Sequence, residues 1–162
     1  MRFMMIVKAN KYTEAGVMPD DRLIAAMTKY NEEMAQAGVL HDLAGLQPSS
    51  KGARIKFAGG KATVVEGPFA DTAGLIAGYW VIQVNSKAEA IEWGKRCPAP
   101  HGEIAEGEIE LRQLFELDDF ASGPAIDEAR RLEQELAKKK IGPRMSHPHP
   151  GGVTWRAAFR GR

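Results

Sequence analysis

The chain has 162 residues, of which 44% are hydrophobic and 27% are charged, and its net charge at pH 7 is +1. This composition is typical of a globular domain, excludes fibrous and disordered classes, and indicates no particular charged partner. No apolar run reaches the roughly 20 residues that a membrane-spanning helix requires. The apolar N-terminal segment is too short for the core of a secretory signal peptide. A single cysteine excludes an intrachain disulfide. We therefore expect a cytoplasmic protein with no membrane partner.

The first predicted elements are a strand and a helix. Residues 3–9 are apolar at successive positions, which predicts a strand with both faces covered. Pro19-Asp20-Asp21 begins a helix, with acids at its positive end and an apolar stripe of Leu23, Met27, Tyr30 and Met34. Gly38 is placed for a left-handed C-cap, and residues 39–43 predict a short extended segment.

A hairpin and a second strongly apolar strand come next. Residues 53–58 and 61–66 predict two strands joined by a tight turn at Gly59-Gly60, because such turns need positive φ. Residues 67–74 are rich in breakers and predict a loop. Residues 78–84 again predict a strand that is apolar on both faces.

The last elements of the body are a helix and a strand. Ser86 and Glu89 have the spacing of a capping box, which opens a helix ending near Cys97. Ile109 begins a strand that extends to about Leu117, and the break in its alternation at Leu114-Phe115 predicts a bulge.

This order of elements predicts an α+β fold. We expect a ferredoxin-like βαββαβ sandwich with an extra hairpin. Its two helices can cover only one face of a four-stranded sheet, yet the strands at residues 3–9 and 78–84 are apolar on both faces. The second face would then be covered by a second copy's sheet, giving a two-fold homodimer, or by the chain's own tail.

The tail is basic. Residues 138–162 contain seven basic residues and no acid, whereas residues 1–137 carry a net charge of −6. Gly123-Pro124 begins a predicted helix over residues 124–141, docked by the apolar stripe Ala125, Ala129, Leu132 and Leu136. Residues 145–162 predict an extended arm, and opposite charges would direct it onto the acidic body of its own or its partner's chain.

A family resemblance lies in the loop after the hairpin. Glu66-Gly67-Pro68-Phe69-Ala70-Asp71-Thr72 resembles the loop signature of the YCII-related, or DGPF, family, which is usually Asp-Gly-Pro-Phe-Ala-Glu-Thr-Lys-Glu. Further matches are Ala37-Gly38-Val39-Leu40, Gly45-Leu46-Gln47-Pro48, Gly78-Tyr79-Trp80, Glu92-Trp93 and Arg96-Cys97-Pro98. The resemblance covers residues 1–117. It implies a ferredoxin-like domain over residues 1–120 that forms a dimeric α/β barrel, followed by a C-terminal helix and basic arm over residues 121–162.

The resemblance implies no single activity. Most members have none assigned, although a related member of the superfamily is a dehydrochlorinase of chlorinated hydroxyhydroquinone. Here Glu66 replaces the usual Asp, Asp71 the usual Glu, and Ala73-Gly74 the usual Lys-Glu. A role that depends on that Lys-Glu pair is therefore in doubt. The His–Asp pair proposed as a site in the family also lacks its helix histidine, since residues 23–36 contain none.

Four titratable residues are the candidate catalytic groups: His41, Asp42, Glu66 and Asp71. Glu66 and Asp71 could act as acid and base, but Asp71 could equally cap amides in its own turn. His41 could be a general base with another acid, or a surface residue at a sheet edge; it cannot pair directly with Asp42 across a regular strand. We place any site where the loop of residues 67–74 meets the end of the first helix and residues 39–47.

Other reactive residues have simpler explanations. Cys97 lies at a helix C-terminus, where the dipole disfavours a thiolate, so we interpret it as a small buried hydrophobe. His147 and His149 provide two ligands, whereas a closed zinc site requires four. No metal site is therefore predicted. The sequence contains no Walker, Gly-x-Gly-x-x-Gly, Gly-x-Ser-x-Gly or Cys-x-x-Cys motif, and no cofactor is predicted.

Three functions stay open. The first is a small homodimer that binds a small organic molecule and performs cofactor-free acid/base, lyase-like chemistry. The second is a non-catalytic ligand-binding or accessory module. The third is a nucleic-acid accessory that uses the basic tail with Trp155, which we rank below packing of the tail on protein.

Overall fold

The computed structural model describes residues 1–140, with side chains to Lys138. The described chain forms strands and α-helices in the order β1 (Arg2–Lys8), α1 (Lys11–Glu14), α2 (Asp21–Gln36), β2 (Leu40–Gly45), β3 (Ala53–Ala58), β4 (Lys61–Glu66), β5 (Ile76–Gln83), α3 (Lys87–Arg96), β6 (Ile109–Gln113) and α4 (Pro124–Lys140). Short 3₁₀ turns occur at Ser49–Lys51 and Leu117–Asp119.

The main sheet has four strands in the order β2-β5-β1-β6, and each neighbouring pair is antiparallel. With α2 between β1 and β2 and α3 between β5 and β6, this is the βαββαβ order of a ferredoxin-like sandwich. Strands β3 and β4 form a separate two-stranded sheet. The predicted α+β fold with an extra hairpin is therefore confirmed.

The core lies between one sheet face and the two long helices. It is built from buried residues of β1 and β5, of α2 and α3, and of the segments just after them: Phe3, Met5, Val7, Tyr30, Met34, Val39, Trp80, Ile82, Val84, Ala90 and Trp93. Two buried polar side chains are satisfied there. The Tyr30 hydroxyl donates to the Trp93 carbonyl oxygen at 2.7 Å, and Trp80 Nε1 donates to Asn31 Oδ1 at 2.7 Å.

The helix ends agree with the predicted signals with one difference. Asp20 caps α2 by accepting a hydrogen bond from the Leu23 amide at 2.8 Å, and Gly38 ends it with φ of +71°. Ser86 Oγ accepts from the Glu89 amide at 3.1 Å. The Glu89 carboxylate accepts from the Asn85 amide at 2.9 Å instead of the Ser86 amide, so the capping box is shifted by one residue.

Two local elements differ from the prediction. Helix α1 was not predicted, and it forms because Asn10 Oδ1 accepts from the amides of Tyr12 and Thr13. Strand β6 ends at Gln113 and not near Leu117. The chain turns instead at Leu117–Asp119, where Asp119 Oδ2 accepts from the Glu116 amide at 2.8 Å.

Strands β3 and β4 have the predicted bounds, and Gly59 and Gly60 both have positive φ, +57° and +73°, as the turn requires. Cross-strand pairing places Ile55 opposite Val64 and Phe57 opposite Ala62 on one face. The residues of both strands are all exposed. We call this element the hairpin, and the surface formed by Ile55, Phe57, Ala62 and Val64 its apolar face.

A second compact unit begins at Phe115 and contains α4. In this helix Leu132 and Leu136 are about half exposed and Ala125 is exposed, whereas Ile126 and Ala129 are partly buried. Arg130 forms an ion pair with Asp118 at 2.6 Å. The predicted arm, with His147, His149 and Trp155, lies outside the described residues. Within residues 1–140, no helix is long and apolar enough to cross a membrane.

Candidate functional site

The sheet face opposite α2 and α3 has an apolar centre. Alternation along β1 places Met4 and Ile6 on this face, next to Val81 and Tyr79 of β5. Ala44 of β2 pairs with Tyr79 on its other side. Val81 is buried, whereas Met4, Ile6 and Tyr79 are partly exposed. We call this surface the second face, and it is the one that the two-sided apolar strands predict.

The β2 edge of the second face is acidic. Asp42 pairs with Val81 and accepts a hydrogen bond from the Tyr79 hydroxyl, with 3.4 Å between the phenol oxygen and Oδ2. The pair joins a carboxylate acceptor to a phenol donor beside apolar side chains. This combination can bind a polar group of a ligand, and it can donate or accept a proton.

The β6 edge of the second face is mainly basic. Glu110 and Arg112 pair with Ile6 and Met4. The Glu110 carboxylate lies 3.1 Å from Arg112 Nη1 and 3.5 Å from Lys8 Nζ. The hydrogen bond from Arg112 lowers the pKa of Glu110 from its ordinary value. The β6 edge of the second face therefore carries two cations and one carboxylate, and the opposite β2 edge carries the carboxylate of Asp42.

His41 is the extra residue of a β-bulge. Leu40 pairs with Ile82 and Asp42 pairs with Val81, so His41 has no partner on β5. The bulge lets Leu40 and Leu43 both pack against the core, although they are three residues apart. His41 itself is exposed. A regular strand was the prediction, and the bulge results from the burial of both leucines.

Glu66 and Asp71 are both exposed and lie at the loop after β4. Glu66 ends β4 opposite Ala53. Asp71 Oδ1 accepts a hydrogen bond from the Ala73 amide at 3.0 Å. This local turn contact is the alternative to a catalytic role for Asp71.

The four candidates are not brought together. The loop of residues 67–74 leads into the start of β5, where the Ala9 amide donates to the Leu75 carbonyl oxygen at 3.0 Å. The end of α2 leads into the start of β2, which pairs with the end of β5. Because these strands are antiparallel, the loop and the end of α2 are at opposite ends of the sheet. Asp42 lies roughly 10 Å from Gly45, the last residue of β2, because a strand rises by ~3.3 Å per residue, and Gly45 is at the end of the sheet where the loop enters β5.

Sequence reasoning missed the residues that hold this loop. The Phe69 amide donates to Ser49 Oγ at 3.0 Å, and Ser49 in turn donates its amide and its hydroxyl to the Glu14 carboxylate. Gly67 is required because a Cβ there would lie 1.8 Å from the Ser49 carbonyl oxygen. The family-like loop therefore has a structural function. No local sequence signal links Glu14 to Ser49, since 35 residues separate them.

Cys97 and His101 lie away from the second face. Burial raises the pKa of the Cys97 thiol to about 12, so it is protonated at neutral pH. His101 is buried with Nε2 3.0 Å from the Lys8 carbonyl oxygen, which fixes its ring. Cys97 borders a shallow groove of about 340 Å³ between α3 and β6. Among residues 1–140 no three His, Cys, Asp or Glu side chains are grouped so that they could hold a metal ion.

Two comparisons with known proteins match this chain. A family model described as the YCII-related domain matches residues 1–118. An uncharacterized protein of Rhizobium meliloti (strain 1021) is 26% identical over 95 residues, which cover 59% of this chain and 75% of that protein.

Proposed function

Because the chain belongs to the YCII-related family, we propose that it functions as a homodimer that joins through the second face and binds a small organic molecule there. The observation that carries this proposal is the composition of the second face. Met4, Ile6, Val81 and Tyr79 form an apolar centre between an acidic and a basic edge. An apolar centre of this kind is typical of a surface that another protein surface covers.

The edges also favour one arrangement of the two copies. A two-fold axis parallel to the strands places the β2 edge of one copy over the β6 edge of the other. Asp42 of one copy would then face the partner's Arg112, and the same contact would recur on the other side of the axis. An axis perpendicular to the strands would bring the two Asp42 carboxylates together, which like charges disfavour.

The ligand would bind at the Asp42–Tyr79 pair. Covering the second face would remove water from this pair, which strengthens its hydrogen bonds to a bound polar group. The expected ligand combines an apolar body with a hydroxyl or carbonyl group. We propose that the pair transfers a proton without a cofactor, with the neighbouring His41 as a second base and with Glu66 and Asp71 outside the reaction.

The test uses the full chain. We expect a dimer in sedimentation at micromolar concentration, and a metabolite screen by thermal shift should find compounds that raise Tm. Asp42→Asn and Tyr79→Phe should weaken that shift, and a loss of proton transfer would lower the rate roughly 10²–10⁴-fold. Asp71→Asn is the matched control and should leave binding unchanged. A monomer would contradict the proposal, as would equal ligand shifts in wild type and Asp42→Asn. Binding with no turnover would favour the non-catalytic ligand-binding module.

We further propose a cytoplasmic protein in which residues 121–162 are an appendage to the domain of residues 1–120. The end of the family match at residue 118 and the separate unit beginning at Phe115 support this division. A chain truncated after Ser122 should keep its dimerisation and its Tm. A loss of either would mean that the domain depends on residues beyond 122.

A further inference from the structure

Asp42 and Arg112 lie at the two ends of one cross-strand row of the second face. Asp42 pairs with Val81, and Val81 pairs with Met4. Met4 pairs in turn with Arg112. Three strand intervals separate Asp42 from Arg112, so the two residues of one chain are roughly 14 Å apart at about 4.8 Å per interval. The contact of Arg112 with Glu110 keeps its guanidinium at the β6 edge. A small group bound to Asp42 is therefore out of reach of Arg112 in the same chain.

A two-fold axis parallel to the strands brings the two ends of this row together. The row is symmetric about the line between β5 and β1, because two strands lie on either side of that line. Rotation about an axis above the line places Asp42 of one copy over the partner's Arg112, at the same height along the strands. Stacked sheets are roughly 10 Å apart, and side chains of both sheets fill that gap. The partner's Arg112 therefore faces Asp42 across the interface.

Both groups keep atoms with which to bind a ligand. Tyr79 donates its hydroxyl to Asp42 Oδ2 at 3.4 Å, which leaves Oδ1 to act as a base. Arg112 donates to Glu110 through Nη1 at 3.1 Å, and the Arg112 side chain is 71% exposed. Since a guanidinium has five N–H donors, most of them remain for other acceptors. Glu110 also shares its single negative charge with Lys8, so the β6 edge retains positive charge.

A carboxylate base opposite a cationic donor favours one class of reaction. When a base removes a proton from carbon, the electron pair of the broken C–H bond needs an acceptor. A carbonyl group next to that carbon accepts the pair and becomes an enolate oxygen. A fixed guanidinium stabilises the negative charge that develops on this oxygen. The apolar side chains between the two edges, Met4, Ile6 and Val81, provide a surface for the rest of the ligand.

We infer that the partner's Arg112 completes each ligand site, and that the ligand is an enolisable carbonyl compound with an apolar body. This inference rests on the proposed function and adds a catalytic residue from the second copy. Asp42 takes a proton from the carbon next to the carbonyl group. The C–H bond breaks, an O–H bond forms on Asp42, and the electron pair moves to the carbonyl oxygen beside the partner's Arg112. Asp42 then returns the proton to that oxygen, which gives the enol.

The test follows keto–enol exchange of benzoylacetone with the full chain. This probe is a carbonyl compound with a phenyl body, and its two tautomers absorb light at different wavelengths. Wild type should accelerate the exchange over buffer at the same pH. Arg112→Gln should lower the rate roughly 10²–10³-fold, as the loss of an oxyanion donor does. Asp42→Asn should lower it roughly 10²–10⁴-fold, as the loss of a general base does.

Mixing the two variants decides which chain supplies Arg112. In a heterodimer of Asp42→Asn and Arg112→Gln chains, one site contains both substitutions and the other contains neither. An equal mixture that exchanges subunits at random should therefore recover about a quarter of the wild-type rate. Asp42→Asn chains mixed with Asp42→Asn/Arg112→Gln chains are the matched control and should recover none. Native mass spectrometry would verify the exchange of subunits. If Arg112 acted within its own chain, neither mixture would recover.

Charge reversal tests the same contact without a ligand. Asp42→Arg and Arg112→Asp should each raise the dissociation constant of their homodimers by roughly tenfold or more, because like charges then face each other twice. A mixture of the two variants should form heterodimers, since only the mixed pair has opposite charges at both edges. Homodimers and heterodimers in random proportion would contradict the contact.

The outcomes separate this inference from the proposed function. A wild-type dimer whose Arg112→Gln variant keeps its rate would overturn the role of the partner's Arg112 and leave the homodimer in place, and so would a mixture that exchanges subunits without recovering. A wild-type dimer that does not accelerate the exchange would overturn the carbonyl class, while the metabolite screen would still report on ligand binding. A monomeric wild type would overturn both proposals.

Discussion

The strands of the main sheet and of the hairpin both direct successive side chains to opposite faces, yet their apolar side chains have opposite environments. Met5 and Ile82 of the sheet are completely buried, while Phe57 of the hairpin is mostly exposed. The difference lies in the segments that connect the strands. Helices α2 and α3 return over one face of the sheet, and the short Gly59-Gly60 turn gives the hairpin no such cover. Alternation therefore predicts which side chains share a face, but not whether that face is buried.

The largest expected difference comes from truncating one apolar side chain in each region. Met5→Ala should lower the free energy of unfolding by about 2–5 kcal/mol, because it leaves a cavity in the core. Phe57→Ala should change it by less than about 0.5 kcal/mol, as is usual at exposed positions. Urea unfolding at a series of protein concentrations, extrapolated to the monomer, would measure both. Equal losses would mean that the hairpin is covered within a single chain.

The same substitution on the two faces of the sheet gives a smaller contrast. Tyr30→Phe should cost about 1–3 kcal/mol, because it leaves the buried Trp93 carbonyl oxygen without its 2.7 Å donor. Tyr79→Phe removes a longer bond to an exposed carboxylate, and we expect a loss below about 0.5 kcal/mol. Thermal unfolding of both variants would measure the difference. A larger loss for Tyr79→Phe would show that the second face contributes more than its exposure indicates.

Asp71 provides a finer test in the exposed loop. Asp71→Ala removes the acceptor for the Ala73 amide and should cost about 0.5–1.5 kcal/mol. Asp71→Asn retains Oδ1 and should have nearly wild-type stability. Chemical denaturation would measure the free energy of unfolding of both variants. Equal losses for Asp71→Asn and Asp71→Ala would show that Asp71 stabilises the loop through its charge and not through the turn contact.

The smallest expected effect is electrostatic. The folded-state pKa of Glu110 is lowered by its hydrogen bond from Arg112, so its stabilisation is present above the ordinary pKa of 4.5 and is lost as pH falls through the lowered value. Tm of wild type should therefore exceed that of Arg112→Gln at pH 7, and the gap should close on acidification. A gap independent of pH would mean that Arg112 acts through packing. The gap should be small, because the pair is exposed.

Local signals in the sequence predicted most of the fold. Gly59-Gly60 defined the hairpin, and Asp20 and Gly38 defined the ends of α2, because each acts through bonds within a few residues. Helix α1 has one turn and no apolar periodicity, so its only signal is the cap Asn10. Strand β6 ended early for a similar reason, since one side-chain contact at Asp119 turned the chain.

The candidate site was less predictable because it depends on contacts between distant residues. Asp42 lies beside Tyr79 only through the pairing of β2 with β5, and the bulge at His41 depends on burial of leucines on either side of it. The loop of residues 67–74 was recognisable in sequence, but its anchors, Glu14 and Ser49, belong to other segments. The prediction grouped Glu66 and Asp71 with His41 and Asp42 because it placed the loop of residues 67–74 against the end of the first helix, and the antiparallel sheet separates these two segments.

The hydrogen bond between the Gly67 amide and the Gly52 carbonyl oxygen, 3.0 Å long, has a consequence for how this chain can be altered. The polypeptide leaves and rejoins the sandwich at adjacent points, so the segment from Ala53 to Glu66 is a detachable module in the sense of protein engineering. Lengthening it at Gly59-Gly60 should add only a small loop-closure entropy and no strain in the sandwich. An epitope tag, a fluorophore or a small guest domain inserted there would report on this region while the four-stranded sheet folds as before.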